Sequence, residues 1–397
     1  VIKLKRLAEG AKMTLSLAHL IPQVEKMAEE LAEERAQHHK VLGKVQELLN
    51  LYSLSALDFK AKAKEFGAAI PSHEPIDLRK PPTPLSPYEG GYVIAADGSQ
   101  IQPDRHGIAL YYLINVGSIV LKEGSGETPV PKSTPYLYYK DEDLYEGNRL
   151  VQGNLLDVRR ELAELQELSA RVREVASEED GRRRTPILAL ADGTLLLWVL
   201  EEEKDRHLDK IRAYVEEMEK IRKAGALLAG FISRPRYSEV VDLLRLMHFG
   251  EEPFSHPPHR RPWGRLTDAA LFSFLPVGWR SALFESPSPL NDYYGESRIF
   301  FFYLNVGGEI ARIEIPAWIA LPSYAEGSGG LVDLVQAMVL KQCENTQGYP
   351  YVLERAHELA VIKASEKRSL EEMIERAMFK RGLSPLVSPK ERWKRLV

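Results

Sequence analysis

The sequence predicts an α/β domain behind an N-terminal helical extension. From Tyr92 onward, short apolar runs bounded by turn residues alternate with segments of helical period, the schedule of a sheet with crossing helices. Before that point no strand pattern occurs, and a stretch rich in Glu, Lys and Gln carries apolar residues at helical spacing. Between the two lies IPSHEPIDLRKPPTPLSPYEGG, which is dense in proline and reads as an extended linker. The chain therefore divides into residues 1–85, helices plus linker, and residues 86–397, the α/β domain with a basic C-terminal tail.

In order along the chain, a long helix runs from Ile21 to about Leu51, with Pro22 in its first turn and Val24, Met27, Leu31, Val41, Val45 and Leu48 at helical spacing. A second covers Ser55 to Phe66. After the linker, Tyr92–Ala96, Ile108–Leu121 and Pro135–Lys140 read as strands. Asn154–Ser177 is a helix whose apolar side holds Leu155, Val158, Leu162, Leu165 and Leu168. Ile187–Ala191 is a strand, Glu201–Lys223 a charged helix, Leu227–Ile232 a strand and Tyr237–Met247 a helix. EEPFSHPPHRRPWGR is an exposed loop. Ile299–Val306 and Glu309–Ile315 form a hairpin around Gly307-Gly308, and the helices Leu331–Glu344 and Pro350–Ala364 precede the tail.

With 397 residues, 44% of them hydrophobic and 28% charged, the chain can bury a large core and suits a soluble protein. It holds no apolar run long enough to span a bilayer and no compact signal-peptide pattern, so a cytoplasmic location and no membrane partner are expected. Cys343 is the only cysteine, which excludes an intrachain disulfide and a cysteine zinc cluster and reads as a small buried residue. The net charge of −4 argues mildly against nucleic acid, but basic residues cluster at Arg182, Arg183 and Arg184, at His259, Arg260, Arg261 and Arg265, and at Lys390, Arg392, Lys394 and Arg395. Each cluster alone reads as a solvated face.

Two apolar runs end in nearly the same tripeptide, VIAADGS around Asp97 and LALADGT around Asp192. Asp-Gly alone is a hairpin signal. Here both aspartates stand at the end of a buried-type strand, and the glycine beside each lets a backbone or phosphate come close. Two aspartates side by side repel, a cost that a divalent cation removes by taking them as hard oxygen ligands. Two such ions can activate a water and stabilise the leaving oxygen of a phosphodiester. A further ligand is needed, and the helix Asn154–Ser177 offers Glu161, Glu164 and Glu167, of which Glu161 and Glu164 share a face. In GYPYVLERAHELAVI, Pro350 opens a helix that carries His357, with Tyr349 just outside it. Taken singly, His357 and Tyr349 read as packed structural residues. The HPPH pair His256 and His259 reads as loop and not as a metal site.

Taken together, VIAADGSQIQPDRHG, LLDVRRELAEL, LALADGT, AGFISRPR, ARIEIPAW and QGYPYVLERAHELA resemble, in order and over roughly Gly91 to Ala364, the NurA nucleases of archaea and bacteria. The resemblance implies an RNase H-like mixed sheet with acids on two strands and on the helix between them. It also implies a homodimer, manganese-dependent cleavage of single- and double-stranded DNA with magnesium as the other candidate ion, and work with the hexameric translocase HerA at DNA ends. By position it assigns Asp97, Asp192, Tyr349 and His357, with Glu164 as the helix carboxylate because it follows Arg160 by four residues, and Glu161 as second choice. Asp97 would bridge both ions, Asp192 and His357 would complete one site and the helix glutamate the other, and Tyr349 would position the phosphate. The insert SEEDGRRR lengthens the gap before Asp192. Two other readings stand beside this one: a non-catalytic DNA-binding adaptor of a translocase, which the presence of every matching acid disfavours, and a small-substrate phosphatase, which the basic loops and the lack of a phosphate-cradling glycine loop disfavour.

Overall fold

The computed structural model describes residues 17–83, 90–178, 185–321 and 330–383. The basic clusters at 182–184 and 390–395 lie outside them. Helix α1 (Leu17–Leu51) is followed by a 3-10 turn and the short helix α2 (Lys60–Glu65). Pro22 lies inside α1, beyond its first turn and on an exposed stretch, not at the expected N-terminal position. The proline-rich stretch is packed down: β1 (Ile70–Pro71) pairs into the main sheet, Lys80 bridges Arg280, and the Glu74 carboxylate accepts from the Arg280 guanidinium at 2.8 Å.

The site is positioned by strands β2 (Tyr92–Ile101), β3 (Tyr112–Lys122) and β4 (Val130–Tyr138), an antiparallel meander. Helix α3 (Asn154–Glu178) then carries the chain to β5 (Ile187–Asp192), which lies parallel to β2, and α4 (Leu208–Lys223) carries it to β6 (Leu227–Ile232), parallel to β5. The order β4–β3–β2–β5–β6 is the RNase H-like mixed sheet that was expected. Central β5 and β6 are nearly uninterrupted apolar runs because neighbours cover them on both faces, whereas β4 tolerates Pro131 and Pro135 because it is an edge strand. Helix α5 (Glu239–Phe249) follows. Strands β7 (Phe284–Glu285), β8 (Ile299–Asn305) and β9 (Ile310–Pro316) then extend the sheet to nine strands, in the order β1–β7–β8–β9–β6–β5–β2–β3–β4.

Helices α6 (Leu331–Cys343) and α7 (Tyr351–Ala360) match expectation, but a further helix, α8 (Ala364–Phe379), follows where a tail was read. It buries none of its residues completely, so its sequence carries little core signal. The main core joins the sheet to α3, α4, α6 and α7; a second core packs Val45 and Leu49 of α1 against Val240 and Leu244 of α5 and Phe284 and Phe301 of the sheet. Among the described residues no helix is long and apolar enough to cross a membrane.

Candidate active site

Asp97 does not end its strand. β2 continues to Ile101 because Gly98 keeps its ladder pairing with Val116, so the Asp-Gly step is strand and not turn. The β2–β5 register pairs Ala96 with Ala191, which puts Asp97 beside Asp192 at the carboxyl end of β5. There the chain does turn: Gly193 has φ +102°, a conformation that favours glycine, with open space where a Cβ would stand.

Side chains alternate between the faces of a strand, so Asp97 and Gly98 face opposite sides of the sheet. On the Asp97 side lies α7, backbone against backbone: a Cβ on Gly117, the cross-strand partner of Asp97, would come within 2.5 Å of Ala356 O and Ala360 N. The free carbonyls at the end of α7 are satisfied from the sheet, since the Asn115 amide donates to Ala360 O at 2.8 Å and to Leu359 O at 3.2 Å, and the Ser99 hydroxyl donates to Ala360 O. Held in this way, α7 puts His357 Nδ1 2.8 Å from Asp97 Oδ2, with the imidazole 63% exposed and the aspartate almost buried. Just before α7, the Tyr349 hydroxyl donates to Asp192 Oδ2 at 2.8 Å, and its ring meets Phe231 of β6 edge-on.

On the Gly98 side lies α3. A Cβ on Gly98 would come within 2.5 Å of Glu164 Oε1 and 2.9 Å of Arg160 Cγ, so the glycine is what admits the glutamate to the sheet edge. The sequence reading expected a backbone or phosphate in that space; the helix carboxylate fills it. Glu164 is paired with Arg160, and Glu161 lies 3.8 Å from the same guanidinium. Glu167, the remaining helix candidate, is elsewhere: it accepts from the Ser118 hydroxyl at 2.8 Å and pairs with Lys132, tying α3 to the meander.

A cleft of about 300 Å³ opens here, lined among others by Arg160, Glu161, Glu164, Asp192, Trp198 and Tyr237. Desolvation pushes Glu164 up to about 8, with the charges of Asp97 and Glu161 adding to the rise and Arg160 opposing it. Desolvation pushes Glu161 up to about 7 against Arg160, with the Asp157 charge adding to the rise. Asp192, at the cleft mouth, is raised by desolvation and by Asp97, while the Tyr349 hydroxyl bond works the other way. Tyr349 is itself raised, by desolvation and then by the Asp192 charge.

The donors Asp97, Glu164, Asp192 and His357 are hard oxygens and one imidazole, a set that suits manganese or magnesium. Among the described residues, no three His, Cys, Asp or Glu side chains already stand in ligating position for one ion. Each donor is instead engaged with a neighbour, Asp97 with His357, Glu164 with Arg160 and Asp192 with Tyr349. Burial first and the Asp97 charge second raise Glu164 and Asp192, a cost to their charged forms that a cation would offset, so the chemistry of this set fits an ion.

Sequence reasoning missed the support behind Asp192. Glu314, buried on β9, accepts from the Thr194 hydroxyl at 2.7 Å and the Leu195 N–H at 2.9 Å, and so fixes the turn after Asp192. Arg312 pairs with both Glu314 and Glu239 and lies 4.1 Å from the centre of the Tyr237 ring. Both residues are in the quoted ARIEIPAW segment, where only their burial would have revealed the role. HPPH stays clear of the cleft; His256 pairs with Glu252.

A family model described as the NurA domain matches residues 91–362. No curated protein matches the chain. Among solved structures, the NurA nuclease from Sulfolobus solfataricus is similar at 16% identity, with 90% of this chain and 98% of that one covered and a TM-score of 0.47. A structure of NurA bound to dAMP and manganese is similar at 11% identity, covering 89% and 96%, with a TM-score of 0.36. Endonuclease V from Ciona intestinalis in complex with DNA is similar at 10% identity, covering 80% and 97%, with a TM-score of 0.31.

Proposed function

The chain belongs to the NurA family, and from that premise we propose that it is a divalent-metal-dependent deoxyribonuclease. It hydrolyses phosphodiester bonds in single- and double-stranded DNA, as exonuclease or endonuclease, and it acts in the resection of DNA ends with a HerA-type hexameric ATPase. The observation that carries the reading is the convergence of Asp97, Glu164, Asp192 and His357 on one edge of the sheet, from two strands and two helices.

Asp97, Glu164, Asp192 and His357 would hold the ions, manganese or magnesium, with manganese favoured because a NurA structure contains it. Such ions supply a hard Lewis acid for the phosphate and for the attacking water. In the reaction the water gives up a proton as its oxygen bonds to phosphorus, the bond from phosphorus to the departing sugar oxygen breaks, and a proton passes to that oxygen, so that none is gained or lost overall. Asp97 lies between the other donors, with His357 on one face of the sheet and Glu164 reaching over Gly98 from the other, and would be the central residue in holding a cation. The Tyr349 hydroxyl, now donating to Asp192, is a neutral donor that can turn to a phosphate oxygen and orient it. Glu164 is preferred to Glu161 because its carboxylate reaches over Gly98, the neighbour of Asp97 on β2.

A second copy of the chain is a further expected partner. Val24, Met27 and Leu31 of α1 are each more than half exposed and repeat at helical spacing, an apolar seam that pairing would cover. Light scattering on the full chain reads that stoichiometry. The activity is tested by incubating the full chain with manganese and end-labelled linear DNA, single-stranded and blunt duplex. Cleavage that a chelator stops is the expected result. DNA that is bound but left whole would reject the nuclease reading in favour of a binding subunit.

A further inference from the structure

One aromatic side chain in the cleft is left unpacked. In the run LLLWVL after Asp192, Leu195, Leu196, Leu197 and Leu200 are buried, while Trp198 is 62% exposed. Loose backbone is not the reason. Leu195 N–H donates to Glu314 at 2.9 Å, Leu196 N–H to the Thr194 hydroxyl at 3.1 Å, Leu197 N–H to the Tyr294 hydroxyl at 3.0 Å, and Trp198 N–H to Leu196 O at 2.7 Å. The segment is pinned residue by residue, and the indole is presented to the cleft that Asp192, Glu161 and Glu164 also line. An open indole forgoes a large burial gain, so a rigid, exposed one facing charged walls points to a ligand.

We propose that Trp198 is a stacking platform for an unstacked nucleobase of the strand whose phosphate lies at Asp97 and Asp192. This rests on the nuclease reading and adds what the carboxylates cannot supply. Among the described residues lining the cleft, Arg160 is the only basic side chain, and it is paired with Glu164. Without ions the acids repel phosphate, so an uncharged contact is needed to hold the nucleotide beside them. The other exposed-side ring, Tyr237, already has the Arg312 guanidinium 4.1 Å from its centre. A flat indole accepts the face of any base without a hydrogen-bond code, so the contact is sequence-tolerant. Within a duplex both faces of a base are covered by its neighbours. The platform therefore selects unpaired strands and frayed ends.

The test uses the full chain with calcium as the only divalent ion, strand integrity being checked on a gel. Three probes are compared: oligothymidylate, an abasic phosphodiester strand of the same length, and a blunt duplex with G·C ends. Trp198→Ala is expected to weaken oligothymidylate binding about 5- to 150-fold, the range for loss of one base stack. Trp198→Phe is expected to restore most of it, and the abasic strand to bind both variants as it binds the wild type. Equal binding of oligothymidylate by wild type and Trp198→Ala would overturn the proposal, as would an equal loss on the abasic strand. A drop in molar mass of Trp198→Ala by light scattering, with binding lost on every probe, would assign the indole to a contact between copies and also overturn it. Manganese-dependent cleavage by the wild type is measured in parallel. A base-dependent loss without any cleavage would keep the platform and reject the nuclease; cleavage with no base-dependent loss would do the reverse.

Discussion

Adding one methyl group at Gly98 should slow the reaction far more than it loosens the fold. In Gly98→Ala the new Cβ would stand 2.5 Å from Glu164 Oε1, and ordinary contact begins at 3.4 Å, so the carboxylate must retreat by about 0.9 Å. The Cβ would also stand 2.9 Å from Arg160 Cγ and 3.1 Å from Glu164 Cγ, so both side chains must give as the carboxylate turns, at a moderate cost in stability and with no backbone in the way. Catalysis is less forgiving: a hard ion accepts oxygen ligands only within about 2.0–2.6 Å, and about 1 Å of misplacement lowers a rate on the order of 100-fold. Gly117→Ala supplies the contrast. Its Cβ would meet Ala356 O and Ala360 N at 2.5 Å and Leu359 C at 2.7 Å, all backbone, so α7 as a whole must shift. Overpacking of this kind costs about 1–3 kcal/mol or more. The assay is manganese-dependent cleavage of linear duplex beside thermal unfolding of the same samples. Gly98→Ala should melt somewhat below the wild type and cut on the order of 100-fold more slowly, while Gly117→Ala should melt lower still and cut little. A Gly98→Ala variant that cuts at the wild-type rate would refute the claim that Glu164 must pass over this glycine to act.

Asp97→Ala and Asp192→Ala should each abolish cleavage while changing the metal-free melting temperature little, because relief of carboxylate repulsion offsets the lost His357 and Tyr349 bonds; near-normal activity in either would break the two-aspartate centre. Glu164→Gln should lose far more activity than Glu161→Gln and need more manganese, and a reversed ranking in a manganese titration would move the ligand to Glu161. Glu164 is raised to about 8 in the fold from its ordinary value of 4.5, so the native state holds this proton longer than the unfolded chain does. The metal-free protein should therefore lose stability as pH rises from about 4.5 to 8, and Glu164→Gln should flatten that slope in pH-dependent melts. Cys343 is buried, with its thiol pushed up to about 12, so a thiol reagent should fail to label the native chain at neutral pH and label it fully in denaturant.

Much of this was legible because the central strands carry continuous apolar runs, two of which lead directly into Asp97 and Asp192, and helix α3 declares itself by Leu155, Val158, Leu162, Leu165 and Leu168. That Asp97, Asp192, Tyr349 and His357 meet at one edge was available from motif order, since local pattern says nothing about contacts between residues 260 apart in sequence, as Asp97 and His357 are. The Asp-Gly step of β2 misled because the turn signal is local, whereas the pairing of Gly98 with Val116 and the helix over it are tertiary. Trp198 escaped notice because a tryptophan within LLLWVL has the composition of core, and only the fold reveals that its neighbours are buried without it. The linker reading failed for a similar reason: proline suits an extended chain, and an extended chain can also join a sheet edge, as Ile70 and Pro71 do.

The seating of α7 on the sheet also sets a timetable. Asp97, Glu164 and Asp192 belong to the meander and its first crossovers, but Tyr349 and His357 arrive with a helix encoded far downstream and docked through Ser99, Asn115 and the bare backbone of Gly117. Contacts that close so long a loop form late. A growing chain would then assemble its acidic edge before Tyr349 and His357 reach it. Any opening of α7 apart from β2 would carry His357 away from Asp97 and leave the acidic edge without its imidazole. Hydrogen exchange on the full chain would report such lifting as faster opening of the α7 amides than of the β2 amides, and equal protection of the two would mean that helix and sheet open only as one unit.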